Sequence, residues 1–165
     1  MNMSDSKVRI QTVGPADVPD LMAALQALAR NLDDPFKVTP EDVSKALFGP
    51  DSFTMALLAR QGGKVFGAVF AAPLFTTLGG GAVLYVSDLW VDASVRKQSL
   101  GRRLLAAAAA EGASRWQTSG IRLTVYSDNA PARAFYAKLG FVVNEKDLTA
   151  FLSGTRVAAL QARAQ

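Results

Sequence analysis

Apolar and polar positions along the chain fall into alternating stretches and stretches of helical spacing, and these mark out a series of short elements. Val8-Arg9-Ile10-Gln11-Thr12-Val13 alternates and stops at Gly14-Pro15, the pattern of a half-buried first strand. The spacing then becomes helical: Val18, Leu21, Met22, Leu25, Leu28 and Ala29 keep one apolar face through Arg30, with Asp17 placed to cap and Asp20 three residues on. A loop follows over 31–37. Thr39-Pro40-Glu41-Asp42 combines an N-cap residue, proline at the first helical position and early carboxylates, which predicts a short helix stopping near Gly49-Pro50.

Phe53 to Arg60 and Lys64 to Ala72 are strand-like runs around Gln61-Gly62-Gly63, so they are predicted as an antiparallel hairpin. A loop with Pro73 and Gly79-Gly80-Gly81 leads to Ala82–Val91, rich in the branched and aromatic residues of a central strand. Leu100, Leu104, Leu105, Ala108 and Trp116 recur at helical spacing in an alanine-rich stretch, which predicts a long helix to about Thr118. Ile121 to Tyr126 alternates again. Ser127-Asp128-Asn129 caps a further helix that runs to Leu139, with Gly140 as a left-handed stop. Phe141-Val142-Val143 begins another strand, Thr155 to Leu160 supplies a last one, and the tail from Gln161 should fray. No repeat or linker interrupts the series, so one domain over 1–165 is expected, with an ordered core of about 8–160.

Composition narrows the chemistry. With 165 residues, half of them hydrophobic, the chain is sized for one core that buries about two-thirds of its unfolded surface. It shows neither a secretory signal pattern nor an apolar run long enough for a membrane span, so a cytoplasmic setting and no membrane partner are expected. Cysteine and histidine are both absent. That removes disulfides, thiolate nucleophiles, Ser-His-Asp chemistry, imidazole bases and the usual zinc ligands, and no metal site is expected. Proton transfer is left to carboxylate, tyrosine, lysine or water.

The net charge of +4 is modest, yet Arg96, Lys97, Arg102 and Arg103 crowd into eight residues. They lie where a strand passes through a loop into a helix, the arrangement that gathers unpaired N–H groups and a positive helix end around an anion. A solvated basic helix face accounts for the same charges. Ser99 and Gly101 are small enough for a phosphate to approach the main chain. The loop lacks the Gly-Lys-Ser/Thr ending of a nucleoside-triphosphate loop and the G-x-G-x-x-G dinucleotide fingerprint.

Arg96-Lys97-Gln98-Ser99-Leu100-Gly101 resembles the R-x-x-G-x-G/A pyrophosphate loop of the GNAT superfamily of N-acetyltransferases, with Ser99 in place of the first glycine. Asn129-Ala130-Pro131-Ala132-Arg133-Ala134-Phe135-Tyr136-Ala137-Lys138-Leu139-Gly140-Phe141 is similar to that superfamily's N-x-x-A-x-x-F-Y-x-x-x-G-F segment, and Asp88-Leu89-Trp90-Val91 lies just upstream of the loop. Val38-Thr39-Pro40-Glu41-Asp42, Leu47-Phe48-Gly49 and Leu84 to Val91 look most like the diamine and thialysine (spermidine/spermine-type) branch, in which Glu-Asp usually stands where this chain has Ser87-Asp88.

The resemblance implies an α/β (α+β) fold: a mixed, mostly antiparallel sheet, splayed in the middle and flanked by helices on both faces. It implies acetyl-CoA as co-substrate, a small primary amine (diamine, polyamine or amino-acid-like) as acceptor, direct attack in a ternary complex, and by analogy a homodimer. Coenzyme contacts would fall to Leu89, Trp90 and Val91 on the splayed strand, to Arg96, Lys97, Gln98, Ser99, Leu100, Gly101 and Arg102, and to Asn129, Ala132 and Tyr136. Either Arg102 or Arg103 would face the phosphates. Tyr136 matches the family's general acid, although a packed tyrosine would serve the core equally. Asp88 is the candidate for a proton relay or for binding the substrate ammonium, or else a strand-end carboxylate paired with a basic side chain. Capping alone would explain Asn129.

Two other classes of function fit parts of the pattern. Ser87 and Ser99 depart from the family residues, as a coenzyme-binding sensor or partner module with little turnover would allow. Nucleic-acid binding rests on charge alone and has no recognisable reading motif.

Overall fold

The computed structural model describes residues 7–162. Its first strand, β1 (Arg9–Thr12), ends at Gly14-Pro15, and a short 3-10 turn over Pro15–Asp17 leads into α1 (Val18–Leu32). The Asp17 carboxylate does not cap α1. It accepts from the Gly14 amide at 2.8 Å and from Arg60 Nη2 at 2.8 Å, while Asp20 takes the other Arg60 nitrogen. The acidic start of α1 thus clamps the helix to the strand that carries Arg60, instead of closing its own first turn.

Thr39 caps α2 (Pro40–Phe48) as its sequence predicts. Its hydroxyl accepts from the Asp42 amide at 3.2 Å and the Asp42 carboxylate accepts from the Thr39 amide at 2.9 Å, satisfying two otherwise orphaned donors. Strands β2 (Met55–Gln61) and β3 (Lys64–Thr76) form the predicted hairpin, turned by Gly62 and Gly63 at φ of 55° and 78°, the left-handed pair that a tight hairpin needs. β3 runs through Pro73 to Thr76, where a loop was expected. Pairing with β2 stops at Ala71, so beyond it β3 has a single neighbour and tolerates a residue that lacks an N–H.

β4 (Gly81–Val91) pairs antiparallel with β3, and after α3 (Leu100–Trp116) the chain returns as β5 (Ile121–Leu123), parallel to β4. The strand order is β1-β2-β3-β4-β5, a mixed and mostly antiparallel sheet as expected, with β5 shorter than the alternation to Tyr126 suggested.

Helices cover both faces of this sheet. The α1 residues Val18, Leu21, Met22 and Leu25 pack with Ala56, Leu58 and Ala68, and Phe70 and Trp90 lie against the same cluster. On the other face α3 buries Leu100, Leu104, Leu105 and Ala108. Its approach depends on glycine: a Cβ on Gly67 would stand 2.7 Å from Leu104 Cδ1 and 3.1 Å from the Trp90 carbonyl oxygen. Among the described residues no helix is long and apolar enough to cross a membrane.

One compact unit ends at Tyr126 and a second, smaller one starts at Ser127. The second contains α4 (Ala130–Lys138), capped by Asn129, whose Oδ1 accepts from the Ala132 amide at 3.2 Å. Gly140, at φ 89°, ends it in the predicted left-handed stop, and the Phe141 amide returns to the Tyr136 carbonyl at 3.1 Å.

Two expected strands are absent from this unit. Phe141-Val142-Val143 forms no strand, and 154–161 is a helix, α5 (Gly154–Gln161), opening with a Val157 amide bond to the Ser153 carbonyl. Four of the six residues in the short run read as a strand, Arg156, Ala158, Ala159 and Leu160, are good helix formers, and they take the helix where no neighbouring strand edge recruits them. The fraying expected of the tail falls in large part on 163–165, outside the described residues.

Gly67→Ala should cost about 1–3 kcal/mol through overpacking against Leu104 and the Trp90 main chain. Urea denaturation would register it as a lower midpoint with an unchanged slope.

Candidate active site

β4 carries one residue too many for its partner. Phe70 pairs with Asp88 and Ala71 with Val86, so Ser87 is an extra residue and the strand bulges there. Residues opposite each other in a sheet share a face, which puts Asp88 with Phe70 and, two residues on, Trp90 with Ala68 on the α1 side. Leu84 lies before the bulge on the α3 side, against Gly112.

β5 pairs only with Leu84, Tyr85 and Val86. From Ser87 onward, no strand among the described residues pairs with that edge of β4. The Asp92 amide donates to Phe66 on β3 at 2.9 Å, so by alternation Leu89 and Val91 turn their amides toward the open edge. The Tyr85 phenol and the Thr124 hydroxyl, 3.3 Å apart, link β4 to the chain leaving β5 just before the gap. The Tyr126 phenol donates its hydrogen to the Asp34 carboxylate, whose two oxygens each lie 2.9 Å away.

Beyond the strand, Asp92 shapes the turn into the loop. Its Oδ1 accepts from the Ser94 amide at 2.9 Å and the Ser94 hydroxyl at 2.6 Å, and these bonds hold its carboxyl below the usual carboxylate range. In the sequence, the one mark of this role for Asp92 is the Asp-Ala-Ser spacing of an Asx turn, which the motifs around it overshadow.

Lys97 (φ 66°) and Ser99 (φ 63°) both adopt the left-handed conformation that glycine favours, and Ser99 stands immediately before α3 without capping it by its side chain. Arg103 is the first residue whose amide bonds back into the helix, to Ser99 O at 3.0 Å. The amides of Leu100, Gly101 and Arg102 therefore face out of the helix start, as an anion site requires.

The side chains here separate in purpose. The Leu100 side chain is buried at 3 % exposure, so only its main chain faces the loop. Arg96 Nε donates to Val91 O at 3.1 Å, folding the loop back on the strand. Arg103 reaches away to Val8 O at 2.7 Å, which leaves Arg102 and Lys97 as exposed cations without hydrogen-bond or ion-pair partners among the described residues. Gln98 is exposed in the turn between them.

Asp88 is partly buried, and desolvation raises its carboxyl above the ordinary value; a 2.6 Å bond from the Ser87 hydroxyl opposes that rise. The basic side-chain partner considered for it is absent among the described residues. In the second unit, Asn129, Ala132 and Tyr136 lie at the spacing of one face of α4. The Tyr136 ring packs between Phe135 at 5.2 Å and Phe141 at 5.3 Å, and burial pushes its phenol up, so it keeps its proton at neutral pH.

Residues 21–141 match the acetyltransferase (GNAT) family, a stretch running from the first leucine of α1 to the phenylalanine after α4. The chain belongs to this family.

It is similar to N-alpha-acetyltransferase 40 of Saccharomyces cerevisiae, with 38 % identity over 65 residues. That stretch is 36 % of this chain and 23 % of the yeast protein, so the match spans under a quarter of that relative. Solved structures with the same fold include an integron cassette protein from the mobile metagenome of V. cholerae (TM-score 0.73, 21 % identity, 93 % of this chain and 97 % of that one). An aminoglycoside acetyltransferase from a soil metagenome, in complex with sisomicin, aligns at TM-score 0.72 and 16 % identity over 88 % and 95 % of the two chains. The ribosomal-protein-alanine N-acetyltransferase of Brucella melitensis aligns at TM-score 0.67 and 19 % identity over 88 % and 99 %. At such identities these structures speak for the fold.

GNAT proteins use acetyl-CoA as co-substrate. The open amides at the start of α3, the left-handed turn and the exposed Lys97 and Arg102 fit its phosphates.

Ser99→Gly should relieve a left-handed non-glycine residue and stabilise the fold by about 1 kcal/mol, seen as a melting point roughly 2–4 °C higher. Folded Asp88 keeps its proton to higher pH than the unfolded chain does, so its contribution to stability declines as pH rises from the usual 3.8 through the raised folded value. Asp88→Asn should therefore be more stable than the parent at pH 7, with the gain fading below about pH 4, as thermal melts at the two pH values would read.

Proposed function

We propose that this chain is an acetyl-CoA-dependent N-acetyltransferase acting on a primary amine of a small molecule, by direct attack in a ternary complex. The observation that carries the reading is the open edge of β4, with its outward amides, running directly into a left-handed loop and helix start suited to phosphate. When bound, acetyl-CoA supplies the thioester carbonyl that the amine attacks and the thiolate that leaves.

The residues have separable tasks. The amides of Ser99 to Arg102, with Lys97, Arg102 and the Gln98 turn, hold the coenzyme's phosphates. The main chain of Leu89, Trp90 and Val91 orients the pantetheine arm, and an outward amide at Leu89 or Val91 donates to the oxygen on which negative charge develops. One such donor contributes about 3 kcal/mol to the transition state. Asn129 and Ala132 hold the coenzyme from α4. Asp88 receives the ammonium proton through water, since an alkyl amine with a pKa of roughly 10 arrives charged. Tyr136 Oη gives a proton to the leaving sulfur, and its burial keeps that proton in place until needed.

For the acceptor, the resemblance of Val38 to Asp42, Leu47 to Gly49 and Leu84 to Val91 to the diamine and thialysine branch supports a diamine, polyamine or amino-acid-like amine. A homodimer and a cytoplasmic setting belong to the same reading. The names of the yeast and metagenomic relatives add peptide N-termini and aminoglycosides to the panel worth testing.

The decisive experiment measures thiol release from acetyl-CoA against polyamines, lysine analogues, aminoglycosides and peptides, with products identified by mass. A single acetyl added to an amine nitrogen is expected. Coenzyme binding without any acetylated product would make the chain a binding module instead. Tyr136→Phe should lower kcat by about 10²–10⁴-fold; turnover unchanged at every pH, with coenzyme binding intact, removes Tyr136 from the reaction.

A further inference from the structure

The bulge residue Ser87 has two acceptors within reach of one hydroxyl. Its Oγ lies 2.6 Å from Asp88 Oδ2 and 3.2 Å from the carbonyl oxygen of Phe70, the residue paired with Asp88 across the sheet. A serine hydroxyl carries one hydrogen and two lone pairs, so it cannot donate to both at once. It can donate to either, and it can accept while it donates.

We infer that Ser87 is a positioning residue that lets Asp88 take up and release a proton at the splay without moving in the sheet. With Asp88 ionised, the Ser87 O–H donates to Oδ2. When Asp88 gains a proton, its own O–H donates to Ser87 Oγ, and the serine hydrogen turns to the Phe70 carbonyl. Each state keeps the short contact between Ser87 Oγ and Asp88 Oδ2, with the hydrogen on one side of it or the other. The bulge makes this possible, because the extra residue brings a side chain beside its neighbour's carboxylate where regular alternation would send the two to opposite faces.

The surroundings leave Ser87 the specific influence on this carboxyl. Burial and the Ser87 bond are the two causes that act on it, in opposite directions. Of the charged groups on α1, β3 and β5, Asp20 of α1 is bound to Arg60, Arg30 lies in the last turn of α1, Lys64 at the far end of β3 stands over the Phe66 ring, and Arg122 of β5 pairs in register with Tyr85; α3, with Arg102, Arg103, Glu111 and Arg115, packs on the opposite face of the sheet from Asp88. None adds a charge effect at Asp88. A carboxylate seated this way, without a cation, can both accept a proton and let it go, as a relay requires; an ion pair would pin it in the charged form.

The inference rests on the proposed role of Asp88, and the test separates the two. Carbon-13 labelling of aspartate carboxyls lets the titration of Asp88 be followed by NMR in the free protein, with Asp88→Asn assigning the signal. Ser87→Ala should move that titration up by about one pH unit, a tenfold change in proton affinity, and Ser87→Thr, which keeps the hydroxyl, should restore it. The acid limb of kcat/KM should shift by the same amount in the same direction. An Asp88 titration unchanged in Ser87→Ala overturns the role of Ser87. A titration that moves while the acid limb stays fixed supports the hold of Ser87 on Asp88 and removes Asp88 from the reaction.

Discussion

Main-chain amides in a sheet need acceptors, and the extra residue at Ser87 is where β4 stops finding them on one side. Up to Val86 the strand is held by β3 and β5; beyond the bulge β3 alone remains, and alternate amides turn outward at Leu89 and Val91. The rest of the sheet unit is arranged to maintain that exposed edge. α1 packs Phe70 and Trp90 from one face, α3 closes on Gly67 from the other, and Arg96 folds back onto the Val91 carbonyl. An edge supported on three sides and open on the fourth can receive an extended ligand by main-chain bonds without unfolding its own strand.

The turn after the strand draws on the same economy. Asp92 and Ser94 start it with two short bonds, and Lys97 and Ser99 finish it in the left-handed region, where a non-glycine residue is strained. The helix that follows is anchored by the buried Leu100 and Leu104, which hold its first turn in place against that strain. Basic side chains nearby are divided between structure and solvent. Arg96 and Arg103 brace the backbone, while Lys97 and Arg102 remain exposed beside the open amides.

Much of this was legible in the sequence. The hairpin at Gly62-Gly63, the N-cap at Thr39 with Pro40 behind it, and the stop at Gly140 were read correctly because each is a local decision, made by residues within four positions of one another. The loop between β4 and α3 was equally visible, since charge and small residues cluster there. Asp17 misled because one of its carboxylate oxygens turns back to the Gly14 amide and the other goes to Arg60, 43 positions away, so neither closes the first turn of α1. Thr155 to Leu160 misled because a short apolar run is compatible with strand or helix, and a strand needs a free edge to join.

By itself, then, the amino-acid order determined the local elements, the excluded chemistries and the family motifs, all of which depend on near neighbours or on residue types present and absent. Which arginine braces the backbone and which stays free, where β4 gains its extra residue, and what Asp88 bonds to were settled only by the tertiary structure. Each depends on register between strands or on groups far apart in the chain, and a one-residue shift in pairing sends a side chain to the opposite face of a sheet while leaving the sequence pattern unchanged.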